Sequence, residues 1–415
     1  MDKLFYWEKK VRVGLFFENY SAQSGGAFAF QDSILTALSK IKQSKQEFYI
    51  FYYDEKKYEN IKYENINNII LTFIQLNKHV GIAKKIRNKL KKILYHISTE
   101  NESLAKAALA YNVELMYFPT PAYLPVSVPF IYTVWDLAHR IHPYFPEVST
   151  SGWTWEQRET LYRSILPKAS RIISGSESGK KQIIKFYAIQ DDLVKVLPFP
   201  TPDFALRQNN SKSELPQHFN IKAPYLFYPA QFWPHKNHII LLQVLKKLYE
   251  KYSVPFHLVF SGSDKGNLHY IKEQVQKLNL SGKVHFLGFV TQMDLIALYQ
   301  NAFALVFPSF FGPDNLPPLE AIALGCPVIA SRSSVVEDQL GDAALLFNPI
   351  NEDEILDAVY SLYTDRLLLE KLVQKGKALA NKWTSAEYIQ GILSIIDEFG
   401  DYRRCWSTKD EYIHL

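Results

Sequence analysis

Short apolar runs alternate with helix-forming segments along almost the whole chain, and this alternation restricts the folds that are open to it. The runs are rich in β-branched and aromatic residues, and many of them end in glycine, proline or polar residues. Buried strands that alternate with helices predict parallel sheets with helices packed on both faces. The predicted strands lie at 11–17, 47–53, 68–73, 114–119, 129–136, 171–176, 195–200, 225–231, 256–262, 283–289, 303–309, 327–331 and 343–348.

A polar, proline-bearing stretch at residues 201–222 interrupts the alternation and has no periodicity of its own, so we interpret it as a linker. The chain has 415 residues, more than one ordinary domain holds, and the strand pattern starts again after the linker. We therefore predict two tandem doubly wound α/β domains, at residues 1–200 and 223–384. Residues 385–415 are predicted to form a helical tail that packs on the body of the protein.

The composition is typical of a globular protein with substantial cores, with 47% hydrophobic and 21% charged residues. No apolar run reaches the length of a membrane span, and the N-terminal residues lack the apolar segment of a secretory signal. Cys326 and Cys405 are the two cysteines of the sequence, and two are too few to indicate a disulfide framework. Together these features predict a cytoplasmic protein.

Ligands of doubly wound sheets bind at the carboxyl ends of strands, so the residues after each predicted strand are the candidates for a site. Gly25 and Gly26 follow the first strand and would let a phosphate or sugar approach the backbone, although a flexible turn explains them equally well. Asp136 and His139 follow the fifth strand, where a carboxylate and an imidazole can bind hydroxyls or move protons. The alternative for this pair is a helix cap with a surface histidine.

Lys236 follows the strand at 225–231 and a proline turn, and it precedes a helical segment. Its full charge would add to the partial positive charge of the helix start, and the two together suit a diphosphate. A solvated surface lysine is the alternative. Gly262 ends the next strand and is a further candidate for close backbone approach.

The segment FFGPDNLPPLEAIALGCPVIAS, residues 310–331, places two prolines before a short run of helix formers, a glycine and a buried strand. Pro317 and Pro318 favour the start of a helix, because proline has no N–H to leave unpaired there. Gly325 suits the position just past the helix end. The pattern therefore predicts a short helix with Glu320 in its first turn.

The start of such a helix leaves backbone N–H groups unpaired, and those of Asn315 and Leu316 would suit an anion. A carboxylate beside a phosphate site repels the phosphate, so Glu320 is better explained by hydrogen bonds to the hydroxyls of a ribose. The alternative is a capped helix whose acidic first turn is stabilised by the helix dipole.

Taken in order, these motifs resemble those of a known family. The second half contains YPAQFWPHKN, SGSDKG, VHFLGFV and LVFPSFFGPDNLPPLEAIALGCPVIAS. The first half contains a Gly-Gly loop, VWDLAHRIHPYFPE, and SGSESGKKQIIKFY before VLPFP. The series covers nearly the whole chain and resembles the family 4 glycosyltransferases, of the glycosyl transferases group 1 type.

The resemblance implies an α/β protein of the GT-B fold, in which two Rossmann-like domains face a central cleft. It implies that the first domain binds the acceptor, that the second binds the donor, and that a final helix returns to the first domain. The implied reaction moves a hexose-type sugar from a nucleoside diphosphate sugar to a saccharide or lipid-linked saccharide, as in bacterial O-antigen or capsule synthesis. Retention of anomeric configuration is implied, without a metal ion or a cofactor.

Roles for individual residues also follow from the resemblance. Lys236 is expected to hold the diphosphate and Glu320 to bind the ribose, while Asp136 and His139 orient the sugar, and these four form the predicted catalytic set. The predicted donor-binding residues are Gly25, Gly26, Gln231, Lys236, Gly262, Gly288, Val290, Asp314, Asn315, Leu316 and Glu320.

Two positions depart from the family pattern. Gly312 stands where the first glutamate of a paired-glutamate motif is expected, so another group must make the usual contact with the donor sugar, and Asp314 and backbone groups are candidates. Gln231 stands where an arginine is expected, which removes a positive charge from the diphosphate site.

Residues 77–93 gather seven Lys and Arg residues, with apolar residues along one helical side. A basic amphipathic helix of this kind predicts contact with anionic lipid headgroups at the inner face of the cytoplasmic membrane, which suits a lipid-linked acceptor. A solvated face of an ordinary helix is the alternative. The rest of the sequence has no comparable basic or aromatic series, so nucleic acid is not an expected partner.

Two other functions fit the same donor site. A nucleotide-sugar epimerase would bind the donor but would need acid and base residues at the sugar. A donor-binding protein without catalysis is the third reading, prompted by Gly312 and Gln231.

Overall fold

The computed structural model describes residues 10–20, 25–41, 44–53, 71–76, 102–149, 152–207, 213–222, 224–312, 315–403 and 405. Within them the chain forms two sheets, and all the strand pairs are parallel. The first sheet contains β1 (Val11–Phe16), β2 (Gln46–Tyr52), β3 (Leu71–Gln75), β4 (Leu115–Phe118), β5 (Phe130–Val134), β6 (Arg171–Ser174) and β7 (Val194–Val196). The second contains β8 (Tyr225–Pro229), β9 (His257–Ser261), β10 (Val284–Phe286), β11 (Ala304–Phe307), β12 (Val328–Ser331) and β13 (Ala344–Phe347).

Helices lie between these strands. Those before the second sheet are α1 (Gly26–Ser39), α2 (Glu102–Ala110), α3 (Ala138–Ile141), α4 (Pro146–Ser149), α5 (Trp155–Ile165), α6 (Glu177–Tyr187) and α7 (Asp203–Leu206). Those that follow are α8 (His238–Tyr252), α9 (Leu268–Lys277), α10 (Gln292–Asn301), α11 (Leu316–Ala323), α12 (Ser334–Leu340), α13 (Glu352–Thr364), α14 (Arg366–Ala380) and α15 (Ser385–Arg403). Short 3-10 helices span Leu166–Lys168, Asp191–Leu193, Gln217–Phe219, Pro234–Lys236 and Gly341–Ala343.

The strand order reverses once in each sheet. The first sheet runs β3-β2-β1-β4-β5-β6-β7, and the second runs β10-β9-β8-β11-β12-β13. The reversals fall between β1 and β4, where Val13 pairs with Leu115, and between β8 and β11, where Leu226 pairs with Ala304. Because loops leave such a point in opposite directions, each reversal opens a crevice at the carboxyl ends of the strands.

Successive side chains of β1 show why the sheet is covered on both faces. Leu15 packs in a core with α1 and α15, whereas Phe16 packs on the opposite face with Met116 and Phe118. Both faces are buried, and this accounts for apolar runs without polar alternation in the sequence.

The last helix, α15, packs on the first domain rather than on the second. The Tyr388 hydroxyl lies 3.0 Å from the Tyr117 hydroxyl, and the Tyr388 ring contacts Phe30 edge to face. Glu398 pairs with Arg171 and Lys195 on neighbouring strands, with N–O distances near 3.0 Å. The helix therefore completes the core of the first domain.

Two chain segments cross between the domains, side by side. The amide N–H of Thr201 donates to the Trp383 carbonyl at 3.1 Å, and the Trp383 indole N–H donates to the Pro198 carbonyl at 2.8 Å. The Ser385 hydroxyl donates to Asp203 at 2.5 Å. The crossing segments are therefore bonded to each other.

The fold class predicted from the sequence is confirmed, and each predicted strand overlaps an observed one. Residues 201–222, which we interpreted as a linker, contain α7 and a 3-10 helix, and Ala205 among them is buried. One local prediction was wrong. Glu320 lies in the second turn of α11, because the helix begins at Leu316 before the prolines rather than at them. No helix in the described part of the chain is both long and apolar enough to span a bilayer.

Candidate active site

The carboxyl ends of both sheets face one cleft of about 730 Å³. Its walls include the loops after β1 and β5 in the first domain and after β8, β9, β10 and β11 in the second. Of these strands, β1 flanks the strand-order reversal of the first sheet, and β8 and β11 flank that of the second. Lys236 and Leu316 both line this cleft from the second domain, and Gly26 and Asp136 line it from the first. The structure therefore brings the main predicted site residues together between the two domains.

Lys236 is placed by a 3-10 turn, Pro234–Lys236, that follows β8 and leads into α8. Its carbonyl accepts a hydrogen bond of 2.9 Å from Tyr228, and its ammonium donates to the Ser309 hydroxyl at 3.3 Å. Burial lowers the pKa of Lys236 to about 8, against the opposing effect of the carboxylates of Glu147 and Asp136. The site therefore holds a poorly solvated ammonium that gains from an anionic ligand.

The start of α11 lies across the cleft from the first domain. Asn315 is the N-cap and Leu316 the first helical residue, so the N–H of Leu316 has no partner within the helix. The carbonyl of Asn315 accepts a hydrogen bond of 3.3 Å from Gln339, which fixes the loop from behind. The helix start and Lys236 thus present positive charge to the same space.

Glu320 lines the cleft but is only 7% exposed. Its carboxylate accepts a hydrogen bond of 2.7 Å from the Tyr299 hydroxyl. Burial raises the pKa of Glu320 to about 7, and the hydrogen bond from Tyr299 lowers it only partly. Near neutral pH the group is poised between a carboxylate that accepts and an acid that donates, and both forms can bind ligand hydroxyls.

Two glycines shape the donor side of the cleft. Gly262 has a φ of +141°, and a Cβ there would overlap the carbonyl of Ala230, so the two loops pass in contact. Its N–H donates to the Gly288 carbonyl at 2.8 Å, and Gly288 turns with a φ of +66°. Gly288 itself does not line the cleft, but its neighbour Val290 does.

Gln231 lines the cleft at the position where the resemblance led us to expect an arginine. Its side-chain oxygen accepts a hydrogen bond of 3.0 Å from the indole of Trp233, which also lines the cleft. The side chain therefore holds a neighbouring ring in place rather than supplying charge.

On the first domain, Gly25 and Gly26 begin α1 directly after the loop from β1. Gly25 is the N-cap with a φ of +68°, a conformation that glycine adopts without strain. A Cβ on Gly26 would lie 3.2 Å from the side chain of Leu316, so the two domains nearly touch here.

Asp136 follows β5 and is half-buried in the cleft wall. One carboxylate oxygen accepts hydrogen bonds from the N–H of Ala138 at 2.9 Å and from the guanidinium of Arg158 at 3.0 Å. Arg158 lines the cleft as well and was not predicted. The capping alternative and the site prediction both fit Asp136, since it binds a helix start and lines the cleft.

His139 does not lie in the cleft, so the expectation that it orients the sugar is corrected. Its side chain is fully buried, and its Nε2 lies 3.3 Å from both the Glu159 carboxylate and the Tyr187 hydroxyl. Glu159 also pairs with Arg140. His139 therefore belongs to a buried polar cluster inside the first domain.

Sequence reasoning missed Glu147, which connects the domains next to Lys236. Its carboxylate accepts a 2.9 Å hydrogen bond from the N–H of His235 and is also bonded to the ring Nδ1 of that residue. Burial lowers the pKa of His235 to about 4, so the ring is neutral near pH 7. The sequence signals for Glu147 were its position directly after Pro146 and its place at the end of the motif VWDLAHRIHPYFPE.

An aromatic stack lies beside this contact. The Phe311 ring is stacked between two imidazoles, at 4.1 Å from His235 of its own domain and 5.4 Å from His142 of the first domain. Phe145 packs on Phe311 at 5.5 Å. Rings of both domains therefore contact each other at Phe311.

Some predicted features lie outside the described residues. Asp314 is one of them, and the basic segment at 77–93 is another. Gly312 is described and lines the cleft. Among the described residues, no group of three or more His, Cys, Asp and Glu side chains is arranged to hold a metal ion.

Comparison with known proteins gives a family match in the second half of the chain. The sequence model of the glycosyl transferases group 1 family matches residues 211–379. The O-antigen chain mannosyltransferase B of Escherichia coli is 26% identical over 241 residues, which are 58% of this chain and 63% of that protein. The O-antigen chain mannosyltransferase RfbU of Salmonella typhimurium is 29% identical over 202 residues, which are 49% of this chain and 53% of that protein. The matches thus span less than two thirds of either relative.

Solved structures resemble the chain over nearly its whole length. Alr3699/HepE of Anabaena, in complex with UDP and glucose, has a TM-score of 0.69 with 16% identity, over 94% of this chain and all of the other. WaaG, a glycosyltransferase involved in lipopolysaccharide biosynthesis, has a TM-score of 0.65 with 14% identity, over 93% and 99% of the two chains. At these identities the likeness shows the fold, and it is the expected GT-B fold.

Proposed function

We propose, from the premise that residues 211–379 form a domain of the glycosyl transferases group 1 family, that this chain is a glycosyltransferase. It moves a hexose-type sugar from a nucleoside diphosphate sugar to a saccharide or lipid-linked saccharide. The observation that carries the proposal is the convergence of Lys236 and the start of α11 on one cleft that the two domains share.

Lys236 and the amide-rich start of α11 have the charge that a departing diphosphate needs. Negative charge grows on the leaving group as the bond from the anomeric carbon to phosphate breaks, and groups already in place stabilise it best. A partly buried ammonium meets this demand, because it gains more from an anion than a solvated one does. We assign the diphosphate to these two elements, without a metal ion, and the ribose to Glu320.

We further propose that the anomeric configuration is retained. In this scheme the acceptor hydroxyl attacks the anomeric carbon from the face that the diphosphate leaves. The bond to the phosphate oxygen breaks, the bond to the acceptor oxygen forms, and the acceptor proton passes to the departing phosphate oxygen. Asp136 lines the cleft from the first domain, and its two hydrogen bonds from Ala138 and Arg158 fall on a single carboxylate oxygen, so we assign the other oxygen to an acceptor hydroxyl.

The names of the relatives suggest which donor sugar and which class of product to test first. Two of them are described as O-antigen chain mannosyltransferases, so mannose is the first donor sugar to test and a bacterial surface polysaccharide the first product class. Contact of residues 77–93 with anionic membrane, and a location at the inner face of the cytoplasmic membrane, stay predictions from sequence. Co-sedimentation with phosphatidylglycerol vesicles at low and high salt tests them.

The test is a transfer assay with the purified full chain. GDP-mannose, UDP-glucose and ADP-glucose are each supplied with a panel of lipid-linked and free saccharides, and the product linkage is examined by NMR. The proposal expects a new glycosidic bond of retained configuration, and loss of turnover in Lys236→Ala but not in Lys277→Ala, whose lysine is exposed on α9. Donor epimerised in the absence of any acceptor would support the epimerase instead, and donor bound without transfer the non-catalytic alternative.

A further inference from the structure

Asn315 occupies the N-cap of α11 without capping it. Its side chain makes no hydrogen bond to the helix start. Asn351, the N-cap of α13, shows the usual arrangement, because its side-chain oxygen accepts from the N–H groups of Asp353 and Glu354 at 3.1 and 3.3 Å. The carboxamide of Asn315 therefore serves something other than the helix.

The position of this carboxamide is constrained by Gly312. A Cβ on residue 312 would overlap the side-chain oxygen of Asn315, so only glycine leaves room for the side chain where it lies. Asn315 is 7% exposed, and its side chain makes no hydrogen bond with any described residue. Its amide atoms are not among the fully buried polar atoms that lack a partner, so they reach the accessible space of the cleft, where a ligand can both donate to and accept from them.

The remaining exposed surface of Asn315 belongs to the cleft, which both Asn315 and Gly312 line. The loop that carries them is tied to the diphosphate side of the site through Ser309. That hydroxyl accepts from Lys236 at 3.3 Å and donates to the carbonyl of Phe311 at 2.7 Å. A ligand phosphate held by Lys236 would therefore place the group attached to it beside this loop.

We propose that the side-chain carboxamide of Asn315 hydrogen-bonds a hydroxyl of the sugar that is transferred, and that Gly312 is the space that this contact requires. The inference rests on the proposed function and adds to it the residue that reads the sugar. An amide both donates and accepts and carries no charge, which matches a neutral hydroxyl. The site is thus suited to a neutral hexose.

The experiment separates the sugar from the rest of the donor. Affinities of GDP and GDP-mannose, and of UDP and UDP-glucose, are measured by calorimetry for the parent chain and for Asn315→Ala, Gly312→Ala and Asn351→Ala. For the pair of ligands that the parent chain binds, Asn315→Ala is expected to lower the affinity for the nucleotide sugar about 5- to 10-fold, which is the effect of one hydrogen bond. Its affinity for the free nucleoside diphosphate is expected to change less than about twofold. Gly312→Ala is expected to reproduce this pattern, because its methyl group displaces the carboxamide.

Thermal melting provides the structural control. Asn351→Ala loses a working cap and is expected to lower the melting temperature by on the order of 1–2 °C, whereas Asn315→Ala is expected to lower it by less. If Asn315→Ala melts like Asn351→Ala, or weakens diphosphate and nucleotide sugar equally, its role is structural and the inference is wrong. Unchanged affinity in both site variants also overturns it while leaving the proposed function intact. A parent chain that binds none of the nucleotides overturns both.

Discussion

The carboxylate of Glu147, in the first domain, accepts a hydrogen bond of 2.9 Å from the backbone N–H of His235, in the second. The ring Nδ1 of His235 is bonded to the same oxygen, and the next residue along the chain is Lys236. A contact between the domains thus fixes the turn that places the ammonium. Hydrogen bonds from His235 outweigh burial and hold the pKa of Glu147 below its usual value, so the acceptor is ionised near neutral pH.

We expect Glu147→Ala to weaken diphosphate binding and slow turnover about tenfold, because it leaves two buried donors of His235 unpaired and frees the turn before Lys236. Glu147→Gln should retain most activity, since its amide oxygen still accepts. The matched control is Glu156→Ala, an exposed residue at the start of α5. Steady-state kinetics and calorimetry check this, and a Glu147→Ala variant with the parent's kinetics would contradict it.

A second prediction concerns the pH dependence of nucleotide affinity. Burial lowers the pKa of Lys236 to about 8, so the unliganded site loses its positive charge as the pH rises through 8. Affinity for a nucleoside diphosphate should therefore fall between pH 7 and pH 9, by up to about tenfold per unit above the pKa. Lys236→Arg keeps its charge over this range and should bind with little pH dependence. A parent curve as flat as that of Lys236→Arg would contradict the assignment of Lys236.

The Glu320 carboxyl should make the stability of the second domain depend on pH. Its pKa is raised from 4.5 to about 7 in the folded chain, so the folded state holds a proton that the unfolded state releases. Stability from this group is complete below pH 4.5 and is lost as the pH rises through 7. Glu320→Gln should match the parent near pH 4.5 and exceed it at pH 8, by on the order of 2–3 kcal/mol.

The same variant should bind nucleotide less well, since a carboxylate is the better acceptor for ribose hydroxyls. Melting curves at the two pH values and calorimetry with free diphosphate measure both effects. Equal melting temperatures of the variant and the parent at pH 8 would contradict the raised pKa of Glu320. Unchanged affinity for the free diphosphate would contradict its role in binding the ribose.

The last helix offers a prediction about stability alone. Tyr388 is fully buried between α1 and the first sheet and bonded to Tyr117, so Tyr388→Ala should destabilise the first domain by about 3–5 kcal/mol. Tyr402→Ala, on the same helix but 65% exposed, should change stability by less than about 0.5 kcal/mol. Chemical denaturation measures the stability of both variants, and hydrogen exchange of the amides in β1 and β4 reports whether the loss of stability lies in the first domain.

The strands and the position of Lys236 could be predicted because their signals are local. Each strand is a short apolar run between turns, and Lys236 sits between a strand, a proline and a helix. His139 was misplaced because its burial depends on Glu159 and Tyr187, which lie on other helices. The partner of Glu147 lies 88 residues away in another domain, and one sequence carries no signal for that distance. Contacts with segments remote in sequence, rather than local conformation, therefore limited what could be predicted from the sequence.

The returning helix α15 has a consequence for how the protein is made. Two side chains of this helix contact strands of the first domain, which are translated much earlier. Tyr388 is hydrogen-bonded to Tyr117, and Glu398 forms ion pairs with Arg171 and Lys195. During synthesis the first domain leaves the ribosome without this cover and exposes the apolar surface around Phe30. The second domain, whose strands lie within 225–347, is translated in full before that surface is sealed. In a nascent chain the second domain should therefore finish folding before the first, and chaperones should bind the exposed apolar surface of the first domain.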